Sequence, residues 1–280
     1  MQKGIKRRIG ILRGGMGEHY ISSLKKGGSI ISHIVENLHD KYKVFDIFVD
    51  KDYIWHLNGV PIKPADLIYK VDVVWNTAHP SFLNIIENLS IPHIGSSFFL
   101  GSSKELLKKY MKNIGVNMPR SIFLPKSARE VLEKFPAPWR VGHKLVRTFP
   151  ELTELIENNK SILVEEFISG RVASVHSVRG FRGHLSAQAG DFYVFPPVNI
   201  FGVLSSEEKE KLKNLSKEIH GHLNGGHYLK LYFIVNKKGK IFLSDFESTP
   251  NLDPTSHFAQ ACESAGAKMH HVVEHILEQV

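Results

Sequence analysis

The chain has 280 residues, 42% of them hydrophobic and 23% charged, with 36 Lys and Arg against 28 Asp and Glu for a formal charge of +8. That length and balance support two or three lobes with packed cores and exclude a disordered chain. No apolar run approaches the roughly eighteen residues of a membrane span, and Met1 to Arg8 is basic rather than apolar, so no membrane partner is expected and a cytoplasmic setting is.

The lone Cys262 excludes an internal disulfide, and its Ala-Gln-Ala-Cys-Glu-Ser-Ala surroundings read as a small packed residue in a helix. Positive charge is spread thinly. Beyond Lys3 to Arg8, only Lys209 to Lys217 is rich in bases, and there acids alternate with them at helical spacing, as on a solvated face. Nucleic acid is therefore not an expected partner, whereas a diffuse positive field suits an anionic nucleotide.

Arg8 to Arg13 reads as a strand running into Gly14-Gly15, followed by a helix from Ser22 to Leu38. The glycine pair is either a phosphate turn at a helix start or a plain tight turn. Strands at Val44–Val49 and Val71–Trp75 flank a hairpin centred on Asn58-Gly59, and a helix at Ser81–Leu89 and a strand at Ile91–Ile94 complete a first lobe. Strands alternating with helices predict a parallel sheet.

A helix capped by Ser102 or Ser103 and stopped by Gly115 opens a second lobe. It continues with strand Ser121–Leu124, helix Ala128–Phe135, strand Gly142–Val146, helix Pro150–Asn158 and strand Ser161–Phe167. A third lobe holds strands at Ala173–Val178 and Gly183–Ala189, a helix at Ser205–Leu223, a hairpin from Tyr228 to Phe246 turning at Lys238-Gly239, and a final helix. The boundaries follow as 1–101, 102–170 and 171–280.

The hairpin's second strand delivers Asp245 and Glu247, at i and i+2, to one face at the edge of a polar loop. Two such carboxylates repel unless a cation or a shared proton lies between them, which suits a magnesium ion. Solvation or salt bridging is the plainer alternative.

The stretch from Asp245 through Glu247-Ser-Thr-Pro-Asn-Leu-Asp-Pro-Thr-Ser256-His resembles the C-terminal signature of D-alanine:D-alanine ligases, members of the ATP-grasp superfamily. That pattern runs roughly Glu-x-Asn-Thr-x-Pro-Gly-x-Thr-x-x-Ser. Asp72-Val-Val-Trp-Asn-Thr-Ala-His79 is similar to a family segment whose histidine faces the first substrate, although His79 also reads as a plain strand-end cap. Lys104 falls at the family's first nucleotide-contacting lysine. Leu163-Val-Glu165-Glu166-Phe167-Ile168-Ser-Gly170 looks like the hinge strand that presents a carboxylate and backbone groups to adenine, with Phe167 and Ile168 beside the ring.

The resemblance implies an α/β, three-lobe ATP-grasp architecture: an N-terminal parallel-sheet lobe and two α+β lobes enclosing the nucleotide. It implies ATP with Mg2+, or Mn2+ in its place, held by Asp245 and Glu247, with Lys104, Glu165, Glu166, Phe167 and Ile168 on the nucleotide. Lys230, Ser256 and His79 would serve the D-alanine substrates, through an acyl phosphate, in peptidoglycan precursor synthesis for the cell wall. The family's arrangement implies a homodimer through the first lobe.

Several family features are altered. The substrate-orienting acid falls on Ile21 in an ungapped alignment, with Glu18 and His19 nearby. The Gly/Ser-rich lid is deleted between Trp139 and the segment from Val141; Lys144 could reach the phosphates, although its register does not match the lysine the family carries there. Val172 replaces a ribose-binding glutamate, Lys230 an arginine, and Tyr232 a magnesium-binding aspartate. The alternative function is therefore a catalytically impaired homologue that binds nucleotide or a partner without forming a dipeptide.

Overall fold

The computed structural model describes residues 5–15, 17, 20–95, 104–159, 162–182, 192–223 and 226–280. The expected three lobes form around three sheets. In the first, β1 (Arg7–Gly14), β2 (Tyr42–Val49), β3 (Trp55–Leu57), β4 (Val60–Ile62), β5 (Val73–Asn76) and β6 (His93–Ile94) take the order β4-β3-β2-β1-β5-β6. β1, β2, β5 and β6 run parallel, and the β3–β4 hairpin adds an antiparallel edge. Unbroken apolar runs are what strands covered on both faces require. Helix α1 (Tyr20–Asn37) packs Ile30 and Ile34 with Ile9, Ile11 and Trp75. Helix α2 (Phe82–Asn88) packs Phe82 and Ile86 with Leu12, Ile47 and Val74 on the other face.

Next in the chain are α3 (Lys104–Asn113), β7 (Ser121–Phe123), α4 (Ala128–Lys134), β8 (Trp139–Val141), β9 (Lys144–Val146), α5 (Phe149–Asn158) and β10 (Leu163–Glu166). The central sheet has the order β7-β10-β8-β9. Its core is local, built from Ile122, Val131, Phe135, Trp139, Leu152 and Val164. Two expectations are corrected in this region. Gly142–Val146 is not one strand, because Gly142 sits at φ +58 in a two-residue turn with His143 that folds β8 back onto β9. Helix α3 turns its apolar face to the third lobe instead: Leu107 and Met111 share a buried cluster with Leu229, Leu231 and Leu243 of the third sheet.

The third sheet comprises β11 (Gly170–Arg179), β12 (Phe192–Val194), β13 (Val198–Phe201), β14 (Tyr228–Asn236) and β15 (Ile241–Glu247), ordered β12-β11-β14-β15 with β13 also on β11. Helix α6 (Ser206–Leu223) covers the face that carries Leu229 and Leu231. The opposite side joins the first lobe, with Val178, Phe195 and Tyr228 sharing a cluster with Ile9, Ile34 and Trp75. Two closing helices, α7 (His257–Ser264) and α8 (Met269–Glu278), stand where one was expected, and α8 contributes Val272, Val273 and Ile276 to that shared core. The strands β12 and β13 were not legible beforehand. The strand expected at Gly183–Ala189 and the cap at Ser102 or Ser103 lie outside the described residues. Among the described residues no helix is long and apolar enough to cross a membrane.

Candidate active site

Strand β10 places Glu165 opposite Arg140 of β8 and Ser121 of β7. Glu165 is buried, at 2% exposure, so its charge has to be matched by cations. Lys108 Nζ on α3 donates to Oε1 at 2.5 Å, and Arg140 Nη2 donates to Oε2 at 2.5 Å. The same Arg140 nitrogen reaches the Ser244 carbonyl on β15 at 3.3 Å. One guanidinium thereby links the central sheet to the strand carrying Asp245 and Glu247.

On that third sheet the register sets Lys230 opposite Glu247 and Tyr232 opposite Asp245. The four side chains share one face, since residues two apart on a strand do. The Tyr232 hydroxyl donates to Glu247 Oε1 at 2.8 Å and accepts from the Lys230 ammonium. Lys230 Nζ lies 3.9 Å from the same carboxylate oxygen. The remaining oxygen, Oε2, accepts from Lys26 Nζ of α1 at 2.8 Å. Lys26 belongs to the first lobe, and the glycine after it lets α1 approach: a Cβ on Gly27 would stand 2.8 Å from Arg13 Cβ and 2.9 Å from Thr77 Oγ1.

Burial sets the titration of this cluster. Desolvation alone would raise the Glu247 pKa, but Lys26 and Lys230 outweigh it and hold the carboxyl below its ordinary value. Burial pushes the Lys230 ammonium below its usual range against the pull of Glu247. Burial, then Glu247, raises the Tyr232 phenol, so it stays neutral and donating.

These side chains do not fit the magnesium or manganese centre expected of Asp245 and Glu247. Both oxygens of Glu247 are engaged by protein donors, one of them an ammonium from another lobe. Tyr232 supplies a neutral oxygen, which holds magnesium poorly. Among the described residues no group of three or more His, Cys, Asp or Glu side chains could hold a metal.

The other expected residues are distributed as follows. Glu166 is engaged by Arg120 through a two-pronged pair at 2.8 and 2.9 Å. Phe167 is exposed and Ile168 half-buried just past β10. The Ser256 hydroxyl caps α7, accepting from the Ala259 N–H at 3.1 Å and donating to the Asn251 carbonyl at 2.8 Å. His79 Nδ1 lies 2.8 Å from the Ser81 hydroxyl at the start of α2. Lys104 begins α3, and its side chain is outside the described residues, as are Glu18 and His19. Lys144 is on the far strand of its hairpin, 3.5 Å from Glu151. The backbone N–H groups of Gly14 and Gly15 donate to Ser23 Oγ and the Val49 carbonyl, which makes that pair a tight turn. Cys262 is buried and its thiol is pushed up to about 12 by desolvation, as suits a packed and inert residue.

Sequence reasoning gave no role to Lys26, Lys108 or Arg140. The available signal was electrostatic, because buried carboxylates at Glu165 and Glu247 demand partners.

A sequence model described as the D-ala D-ala ligase C-terminus matches residues 197–278. A D-alanine–D-alanine ligase of Aquifex aeolicus is 26% identical across 92% of this chain and 96% of its own length. One of Wigglesworthia glossinidia brevipalpis is 23% identical across 94% and 95%. Among solved structures, the D-alanine-D-alanine ligase of Coxiella burnetii superposes with a TM-score of 0.81 at 18% identity, covering 98% of this chain and 94% of that one. The Bacillus anthracis ligase complexed with ATP gives 0.75 at 20% identity, covering 97% and 96%. This chain is thus similar to D-alanine–D-alanine ligases along nearly its whole length and shares the fold of their solved structures.

Proposed function

We propose that this protein is an ATP-dependent ligase that joins two D-alanine molecules, a step of peptidoglycan precursor synthesis in the cytoplasm. The observation that carries this reading is the continuous polar seam from Lys108 through Glu165, Arg140 and Ser244 to Tyr232, Glu247 and Lys26, which brings all three lobes to one place. Four cations, Lys26, Lys108, Arg140 and Lys230, face three carboxylates, Glu165, Asp245 and Glu247, so the seam carries one surplus positive charge toward a triphosphate.

In this reading Phe167 and Ile168 flank the adenine, and Glu165 positions Arg140 rather than contacting the base. Lys104 joins Arg140 and Lys230 at the phosphates. The carboxylate of one D-alanine attacks the γ-phosphorus, and ADP departs. The amine of a second then attacks the acyl carbon, expelling phosphate and losing a proton. Fixed cations stabilise the negative charge that develops on the phosphoryl oxygens. Magnesium enters as part of the nucleotide's own phosphate complex. His79 and Ser256 belong near the amino acids, and a homodimer through the first lobe belongs to the same reading.

The test is phosphate release together with mass detection of the dipeptide, using ATP and D-alanine. Both products are expected in wild type. Arg140→Met and Lys230→Met should each lower kcat/KM by about 100-fold or more, the scale set by removing one charge-stabilising donor. Arg129→Ala, on an exposed helix face, should match wild type. The two-residue turn between β8 and β9 favours a second reading, a nucleotide binder without ligation. ATP binding with no dipeptide under any D-alanine concentration would select it.

A further inference from the structure

We propose that Lys26 is a built-in counter-cation: its ammonium, carried on the first-lobe helix, takes on Glu247 the place a divalent ion would fill. This rests on the nucleotide-site reading above and names how the site neutralises phosphate. The geometry engages both oxygens of Glu247. Glu247 Oε2 meets Lys26 Nζ at 2.8 Å, and Oε1 meets the Tyr232 hydroxyl at 2.8 Å with Lys230 Nζ 3.9 Å away. A magnesium ion binds carboxylate oxygen at about 2.0–2.1 Å and demands octahedral neighbours, so it would have to evict Lys26 and sit close to a second ammonium.

Charge counting agrees. Asp245 and Glu247 contribute two negative charges, Lys26 and Lys230 two positive ones, and Tyr232 none, for a sum of zero. These five side chains together carry no excess negative charge with which to retain a divalent ion, whereas the two ammonium groups can turn to an arriving polyphosphate. The lysine also comes from a different lobe from its carboxylate, so charge compensation here depends on the first and third lobes holding their mutual position. They do so through a shared apolar core.

The experiment is a Mn2+ titration of the full chain, without nucleotide, followed by electron paramagnetic resonance. Wild type and Glu247→Gln should give the same binding curve, because Glu247 is not a metal ligand while Lys26 is present. Lys26→Met should gain a Mn2+ site about tenfold tighter than any in wild type, by freeing carboxylate oxygens for a hard cation. The double variant Lys26→Met/Glu247→Gln should lose that site again. Lys26→Gln, of similar length and uncharged, repeats the test should the methionine variant fail to fold by circular dichroism. A wild-type Mn2+ site that vanishes in Glu247→Gln overturns the proposal, as does the absence of any new site when Lys26 is neutralised. Failure to bind ATP under any condition would sink the proposed function instead, and leaves the Mn2+ comparison intact.

Discussion

The first and third lobes are fused, and the central lobe is not. Ile9, Ile34 and Trp75 of the first lobe and Val178, Tyr228, Phe258 and Ile276 of the third belong to one buried apolar cluster. The central lobe's buried residues, from Ile122 to Val164, form a cluster of their own. Its ties to the rest include the Lys108–Glu165 and Arg140–Glu165 ion pairs and the Arg140 contact with the Ser244 carbonyl. Apolar burial is indifferent to pH and salt over ordinary ranges, whereas ion pairs depend on protonation state. Any opening of the nucleotide site is therefore expected to be a motion of the central lobe against a fixed base.

The largest expected effect tests that division. Phe258→Ala in the shared core and Phe135→Ala in the central core should each cost about 3–5 kcal/mol, yet in different places. By hydrogen exchange, the first should speed exchange in both the first and third sheets together, and the second only within residues 121–166. Exchange rising throughout the chain in Phe135→Ala would break the comparison.

Glu165→Gln comes next. The substitution removes the carboxylate charge that Lys108 and Arg140 both pair with, and about 3 kcal/mol should be lost from the central lobe's docking. ATP affinity should fall with it, while the urea midpoint of the shared core stays near wild type.

A comparable effect arises from pH on the other side of the division. His220 is buried under Phe192, with Nε2 donating to the Gly226 carbonyl and Nδ1 accepting from the Ser177 hydroxyl at 2.7 Å. Desolvation lowers its pKa from 6.5 to about 4. Between those values the unfolded chain binds a proton that the folded chain refuses, so stability is complete above pH 6.5 and falls as pH drops toward 4. The loss should reach roughly 3 kcal/mol from this residue. Urea titrations across that range should show a shallower fall in His220→Gln. His176, fully buried beside Tyr228 with its pKa driven well down by burial, adds to the same trend.

The smallest effect belongs to the Arg120–Glu166 pair. Arg120 is 56% exposed, and such a pair contributes no more than about 1 kcal/mol despite its two-pronged geometry. Arg120→Ala should therefore leave ATP affinity and hydrogen exchange near wild type, in contrast to Glu165→Gln, although its partner Glu166 is next to Glu165 on β10.

Much of the fold was legible in the sequence because β1 and β5 of the first lobe hold short apolar runs and its turns carry the required chemistry, as at Asn58 and Gly59, both at positive φ. The β14–β15 hairpin was legible for the same reason, with its turn at Lys238-Gly239. What failed was local length and partner choice. Trp139–Val141 is too short for a periodic signal, so β8 went unread and the expected strand at Gly142–Val146 ran through the turn. Leu107 and Met111 mark an apolar helix face without saying which sheet it covers. The site divides likewise. Lys230, Asp245 and Glu247 could be placed together because strand pairing fixes side-chain direction. Lys26 and Arg140 could not, because their partners are hundreds and tens of residues away and are chosen by charge.

The tight turn at Gly142-His143 has a consequence for energetic economy. A mixed anhydride of alanine and phosphate survives only as long as solvent is kept from its carbonyl carbon, and a hairpin that reverses in two residues cannot fold over the reacting groups. In the ligation proposed above, some activated molecules are expected to be cleaved by solvent before the second amine arrives. Nucleotide consumption should therefore exceed dipeptide formed, and the excess should shrink as the second amino acid is raised, since the two nucleophiles compete for one acyl group.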